Sequence, residues 1–171
     1  MSDYGDLDYI GPLLAIYAAM LVFYLVIFVG AYVVMALALS SFFRKVGVEP
    51  WIAWVPVYSK WKWLEVGGFQ GWLALLQFVP FGGYVTWVFL YIGMYRSGLA
   101  FRKDGAFVVL GIFLPFVWGF ILGGKDEVYE PQLLAAHGYP PPIAGFGSVP
   151  YDQRAHYQPP QQPGPQPYTS E

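Results

Sequence analysis

The chain has 171 residues, of which 57% are apolar, 20% aromatic and only 12% charged, with a formal net charge of −2. A soluble domain carries about 25% charged residues, so this composition points to a membrane, and it lacks the clustered Lys and Arg that bind nucleic-acid phosphates. The absence of cysteine excludes disulfides, thiolate metal sites and a cysteine nucleophile.

Residues 1–12, MSDYGDLDYIGP, hold three aspartates and no basic residue, unlike the positively charged start of a cleaved signal peptide. Leu13 to Leu39 then runs for 27 residues without a charge. As a helix this is about 40 Å long, against a hydrocarbon core of about 30 Å. The pattern predicts a tilted first transmembrane helix over 13–39, ending at Ser40-Ser41 and Arg44-Lys45, with Gly47 to Pro50 as the breaker. Small-residue pairs at Ala15/Ala19 and Ala36/Ser40 would let a neighbouring helix approach.

The next stretch, WIAWVPVYSKWKW at 51–63, holds four of the seven tryptophans, two lysines and a proline. Its eight uncharged residues before Ser59 are too few to cross a bilayer. Amphipathic Trp and snorkelling Lys are what a membrane–water interface selects, so 51–66 is expected to be a proline-broken interfacial or re-entrant helix. Trp51 and Trp54 share a helical face up to Pro56. Trp61 and Trp63 do not, so one of them should pack on protein.

A second uncharged run extends from Val66 to Tyr95, with Pro80, Gly82 and Gly83 near its middle. We expect a span over 72–94, kinked where Pro80 removes a helical hydrogen bond. Arg96, Arg102, Lys103 and Asp104 read as a charged loop, and 106–122 as a third, shorter span interrupted by Pro115. Ten of the fifteen prolines lie between Pro131 and Pro167, so 125–171 reads as a disordered Pro/Gln/Tyr-rich tail of polyproline II character.

Orientation follows the Lys/Arg count. Three spans with the N-terminus outside put Arg44, Lys45, Lys60, Lys62, Lys125 and Arg154 inside, against Arg96, Arg102 and Lys103 outside. The basic loop at 96–103 is the misfit. It would be cured if 51–66 crossed the membrane, or if Pro80-Phe81-Gly82-Gly83 turned the second run into a hairpin, so four spans is the alternative.

Catalytic, metal and cofactor constellations are missing from the sequence. Both histidines, His137 and His156, fall in the expected tail, where no base is held in geometry. No H-E-x-x-H, G-x-S-x-G or Walker-type loop occurs. Ser59 and Lys60 diverge on a helix, and Ser41 and Lys45 sit at a helix end where the lysine reaches water. The apolar runs hold no ionisable Asp, Glu, Lys, Arg or His to mark an ion path. They do repeat one motif three times, apolar–Pro–apolar, at Val55-Pro56-Val57, Val79-Pro80-Phe81 and Leu114-Pro115-Phe116.

The run VGVEPWIAWVPVYSKWKWLEVGGF, continued through VPFGGY to LGIFLPFVWGFILGG, resembles a family of uncharacterised bacterial multi-pass membrane proteins. Members of that family show a Gly-Trp, an apolar–Pro–apolar–Tyr-Asn element, a second Ile-Pro and a terminal Leu-Gly-Phe. The resemblance covers about residues 46–124, and this chain departs from it with Tyr58-Ser59 in place of Tyr-Asn. A similar stretch precedes the catalytic domain of some type I signal peptidases. Their serine and lysine belong to a domain with no counterpart here, so the resemblance adds no catalytic residue and implies a membrane module of unknown biochemistry.

The expected protein is therefore an all-α integral membrane protein of a bacterial inner membrane, with three transmembrane helices, N-terminus outside and C-terminus cytoplasmic. Its expected role is non-catalytic: a scaffold or accessory subunit, or a membrane-organising module. The alternative is a small transporter or lipid-binding protein that uses the proline-broken helices. No cofactor is implied. Expected partners are the lipid bilayer, other membrane proteins or a second copy, and a soluble partner docking the tail at Pro160 to Pro163. The candidate surface comprises Trp51, Trp54, Pro56, Tyr58, Lys60, Trp61, Lys62 and Trp63, with Pro80, Tyr84 and Tyr91 from the second run.

Overall fold

A computed structural model describes residues 10–147, and every regular element among them is helical. Helix α1 runs Ile10–Val46, through the expected 13–39 span and on past Arg44 and Lys45. Its stop is a Schellman arrangement. Gly47 takes a φ of 84° and Val48 N–H donates to Phe43 O at 2.8 Å, a left-handed cap that glycine adopts without a Cβ clash.

The rest of the chain makes three reversals, and each falls at one of the apolar–Pro–apolar motifs. A short 3-10 segment, Pro50–Trp54, turns into α2, Pro56–Val66. A second, Gly71–Phe78, turns into α3, Gly82–Ala100. Helix α4, Phe107–Phe113, turns into α5, Pro115–Leu122. Pro56 and Pro115 occupy the first helical position, where the missing N–H costs nothing and φ is already helical. Pro80 drives Val79 extended (φ −92°, ψ 140°), and Phe81 follows at φ 64°.

The packing fixes the directions. Ser40 Oγ donates to Pro50 O at 2.8 Å, and Tyr32 OH donates to Trp54 O, so the first 3-10 segment runs backward along α1. Helix α5 runs with α1: Gly119 lies against Ala38, and a Cβ on Gly123 would stand 2.6 Å from Ser41 Cβ. Helix α3 also runs with α1, from Trp87, which lines one cavity with Tyr32, to Phe101 on Phe42. Thr86 Oγ1 donates to Leu73 O at 2.9 Å, so Gly71–Phe78 lies antiparallel to α3.

The expected spans over 72–94 and 106–122 are thus not single helices. The second run is a hairpin at Pro80 rather than a kinked rod. The third is two short helices of 7 and 8 residues, each about 10–12 Å long. Among the described residues, Ile10–Val46 alone is long and apolar enough to cross a membrane, by length and composition.

The core is a chain of rings. Trp63 meets Trp118 at 5.8 Å, Trp118 meets Phe42 at 5.0 Å, Phe42 meets Phe101 at 6.2 Å, and Phe101 meets Tyr129 at 5.1 Å. The last ring lies beyond the boundary expected at Lys125. Glu130 N–H donates to Ala100 O, Leu134 of α6 (Gln132–Ala136) is fully buried, Ile143 N–H donates to Glu65 O and Gly147 N–H to Val46 O. Residues 125–147 therefore belong to the packed domain and correct the expectation of a tail from 125 onward. The stretch carries Tyr129, Leu134 and Ile143 at intervals that composition averaged over the whole tail conceals. The rest of the expected tail, with Pro160 to Pro163, lies outside the described residues.

Candidate membrane interface

The three reversals put their apices at one end of the domain. Leu114 lies five residues before Gly119, about 7 Å further toward the N-terminus of α1, and Phe81 lies six residues before Trp87. The apices are apolar and bare: Phe78 is 71% exposed, Phe81 84% and Phe113 77%. Trp54, Val55, Pro56, Val79, Pro80 and Leu114 are exposed with them. Beyond this end, α1 continues without any packing, its side chains from Leu13 to Val29 exposed. The helix enters the core only from about Tyr32, so residues 10–31 project for about 33 Å.

Charge gathers at the opposite end. Lys45 Nζ donates to Lys125 O at 3.2 Å, Lys103 pairs with Glu127 at 2.6 Å, and Arg102 forks onto Glu130 at 2.9 Å. Lys62 pairs with Glu65 at 2.7 Å. Arg96 is not in a loop: it lies within α3, its guanidinium 4.2 Å from the Phe69 ring centroid and 5.0 Å from that of Tyr139, with Nη1 donating to Gly67 O at 3.1 Å. The basic segment 96–103 therefore shares an end with Arg44, Lys45 and Lys125.

The candidate residues divide into groups. Trp51 and Tyr58 contact each other with ring centroids 6.0 Å apart, and Lys62 Nζ lies 5.7 Å from the Tyr58 ring. Trp54 packs edge-on to Tyr32 at the first apex. Of the tryptophan pair on different faces, Trp63 is buried against Trp118. Trp61 is half-buried, its Nε1 donating to Glu65 Oε1 at 2.6 Å, on a seat where Gly71 has no Cβ to collide with the indole. Pro80 and Tyr84 stand apart at the second apex, and Tyr91 stacks on Trp87 at 5.7 Å.

Pro56, Lys60 and Trp63 meet across a cavity of about 180 Å³ between α1, α2 and α3. Its other walls are Tyr32, Met35, Ala36, Leu39, Ala53, Ser59, Trp87 and Leu90. Lys60 Nζ donates to Gln77 Oε1 at 2.7 Å and sits 5.6 Å from the Trp87 ring centroid. Burial lowers its pKa from the ordinary lysine value. Of the residues the sequence singles out, Pro56, Lys60 and Trp63 line this cavity together with Ala36 of a small-residue pair, whereas Tyr32, Met35, Leu39 and Leu90 stand in no motif that marks them.

Both serine–lysine pairs are engaged elsewhere. Ser59 Oγ donates to Pro56 O, Ser41 Oγ to Leu37 O, and Lys45 Nζ to Lys125 O. No group of three or more His, Asp and Glu side chains is gathered as a metal site among the described residues.

Fold and surface together define the class: among the described residues, an all-helical protein with one helix long and apolar enough to cross a membrane. Residues 51–131 match the model of a family of unknown function (DUF5684). The matched segment takes in all three proline reversals, and the match shows no relation to signal peptidases. No curated protein and no solved structure matches the chain.

Proposed function

We propose that the protein is a non-catalytic membrane-anchored module. In this reading α1 crosses the bilayer once, and the helical domain sits on the side its basic residues mark, with three proline turns dipped into the near leaflet. The observation that carries the reading is the segregation of bare apolar apices at the α1 end from charge at the other. Exposed phenylalanines in that density mark a surface made for lipid or for another protein.

The charge count supports one crossing more strongly than three. All nine Lys and Arg residues lie in the last turn of α1 or after it, from Arg44 onward, and residues 1–12 hold none, so the positive-inside rule favours an external N-terminus and a cytoplasmic domain. Reading α1 as a removable leader is disfavoured because its last third carries Phe42, Phe43 and Val46, all fully buried. The role that fits is a scaffold or accessory subunit that holds partners, or a second copy, against the bilayer.

The experiment is a depth measurement. Single cysteines placed at Phe81, Phe113 and Arg102 of this cysteine-free chain would carry an environment-sensitive fluorophore in lipid vesicles. Emission should shift to the blue at the first two sites and stay aqueous at the third. Aqueous emission at both phenylalanine sites would exclude insertion of the apices.

A further inference from the structure

The cavity at Lys60 carries more than packing. It is comparable to the roughly 150 Å³ apolar cavities that take up benzene, yet one wall holds a cation with no counter-ion. Among the described residues the carboxylate partners go to Lys62, Arg102 and Lys103, while Lys60 has only the neutral amide oxygen of Gln77. An ammonium has three N–H donors, so two remain. Trp63, which also lines the cavity, has a buried Nε1 donor with no acceptor among the described residues, and so has Gln77, the residue that accepts from Lys60, at its Nε2. The hydroxyls of Tyr32 and Ser59 already donate to the carbonyls of Trp54 and Pro56. Unspent donors beside an apolar hollow select an oxygen-rich anion attached to a hydrocarbon chain.

We infer that this cavity binds a single acyl chain bearing an anionic head, the head on Lys60 Nζ and the chain among Met35, Leu39 and Leu90. Carboxylate and phosphate heads share this chemistry. The inference rests on α1 bringing the cavity beside lipid: the cavity lies at the Tyr32–Leu39 level, just inside the end that the apices define, with half-exposed Trp87 at its rim. A chain end entering from the leaflet would leave its head at the depth where Trp and Lys side chains meet water.

The test uses the full chain in phosphatidylcholine nanodiscs, with retention of dodecanoate, dodecyl phosphate and dodecanol read by native mass spectrometry. At least one anion should be held about tenfold more tightly than the alcohol, and the tighter of the two identifies the head. Lys60→Met should abolish that preference, Lys60→Gln should do the same if the methionine variant folds poorly, and Lys62→Met should leave it unchanged. Ala53→Leu, which fills the hollow, should weaken all three probes. Equal retention of the alcohol, a preference that survives both Lys60 changes, or no retention of any probe by the natural chain would overturn the inference. Repeating the series in detergent micelles separates it from the membrane placement: a preference kept there stands even if the apices prove to be aqueous, and one lost while they insert sinks the cavity alone.

Discussion

At the residue scale, Arg96 shows how an aromatic-rich domain uses a cation. Its guanidinium fills the gap between Phe69 and Tyr139 and so staples the 125–147 segment to α3. Two ring faces and a carbonyl acceptor make this worth about 1–3 kcal/mol, so Arg96→Ala should lower unfolding stability by that amount. Arg96→Lys should recover only part, since an ammonium has no plane to stack. Chemical denaturation in detergent checks both. Tyr129 adds a pH dependence. Burial raises its pKa above the ordinary phenol value, so it contributes stability below about pH 10 that is lost as pH rises and the unfolded chain ionises. Tyr129→Phe should flatten that alkaline loss in stability measured as a function of pH.

At the element scale, the three prolines decide the architecture. Each ends one short segment and starts the next, so runs that could have crossed a bilayer fold back as V-shaped pairs. The breaks were legible in the sequence because proline forbids a helical hydrogen bond wherever it stands. Whether a break makes a kink or a reversal was not, because that depends on contacts such as Thr86 with Leu73, 13 residues apart. The 125–147 segment was hidden for a related reason. Its apolar residues are too sparse to declare a helix, and its partners, Ala100, Glu65 and Val46, lie far back in the chain. A chain ending at Glu130 should therefore unfold at a lower temperature than one ending at Gly147, since it loses Leu134, Tyr139 and the bonds to Glu65 and Val46. Equal thermal midpoints would show that the segment adds nothing.

At the scale of the whole molecule, polarity runs along α1. A bare apolar helix leads into three apolar turns, then an aromatic core, then a tier of ion pairs. The first of these was plain in the sequence, since 27 uncharged residues need no partner to be recognised. The last was visible only as an inconsistency, a basic loop on the wrong side of a three-span count. Pairing Lys103 with Glu127 and Lys45 with the Lys125 carbonyl brings these charges to one end of the domain. The most direct measurement is one-sided labelling of single cysteines at Ser2, Lys62, Arg102 and Lys125, with a reagent that does not cross the membrane. Lys62, Arg102 and Lys125 should be labelled together from the cytoplasmic side and Ser2 from the other. Labelling of Arg102 from the same side as Ser2, with Lys62 and Lys125 opposite, would contradict it and restore three spans.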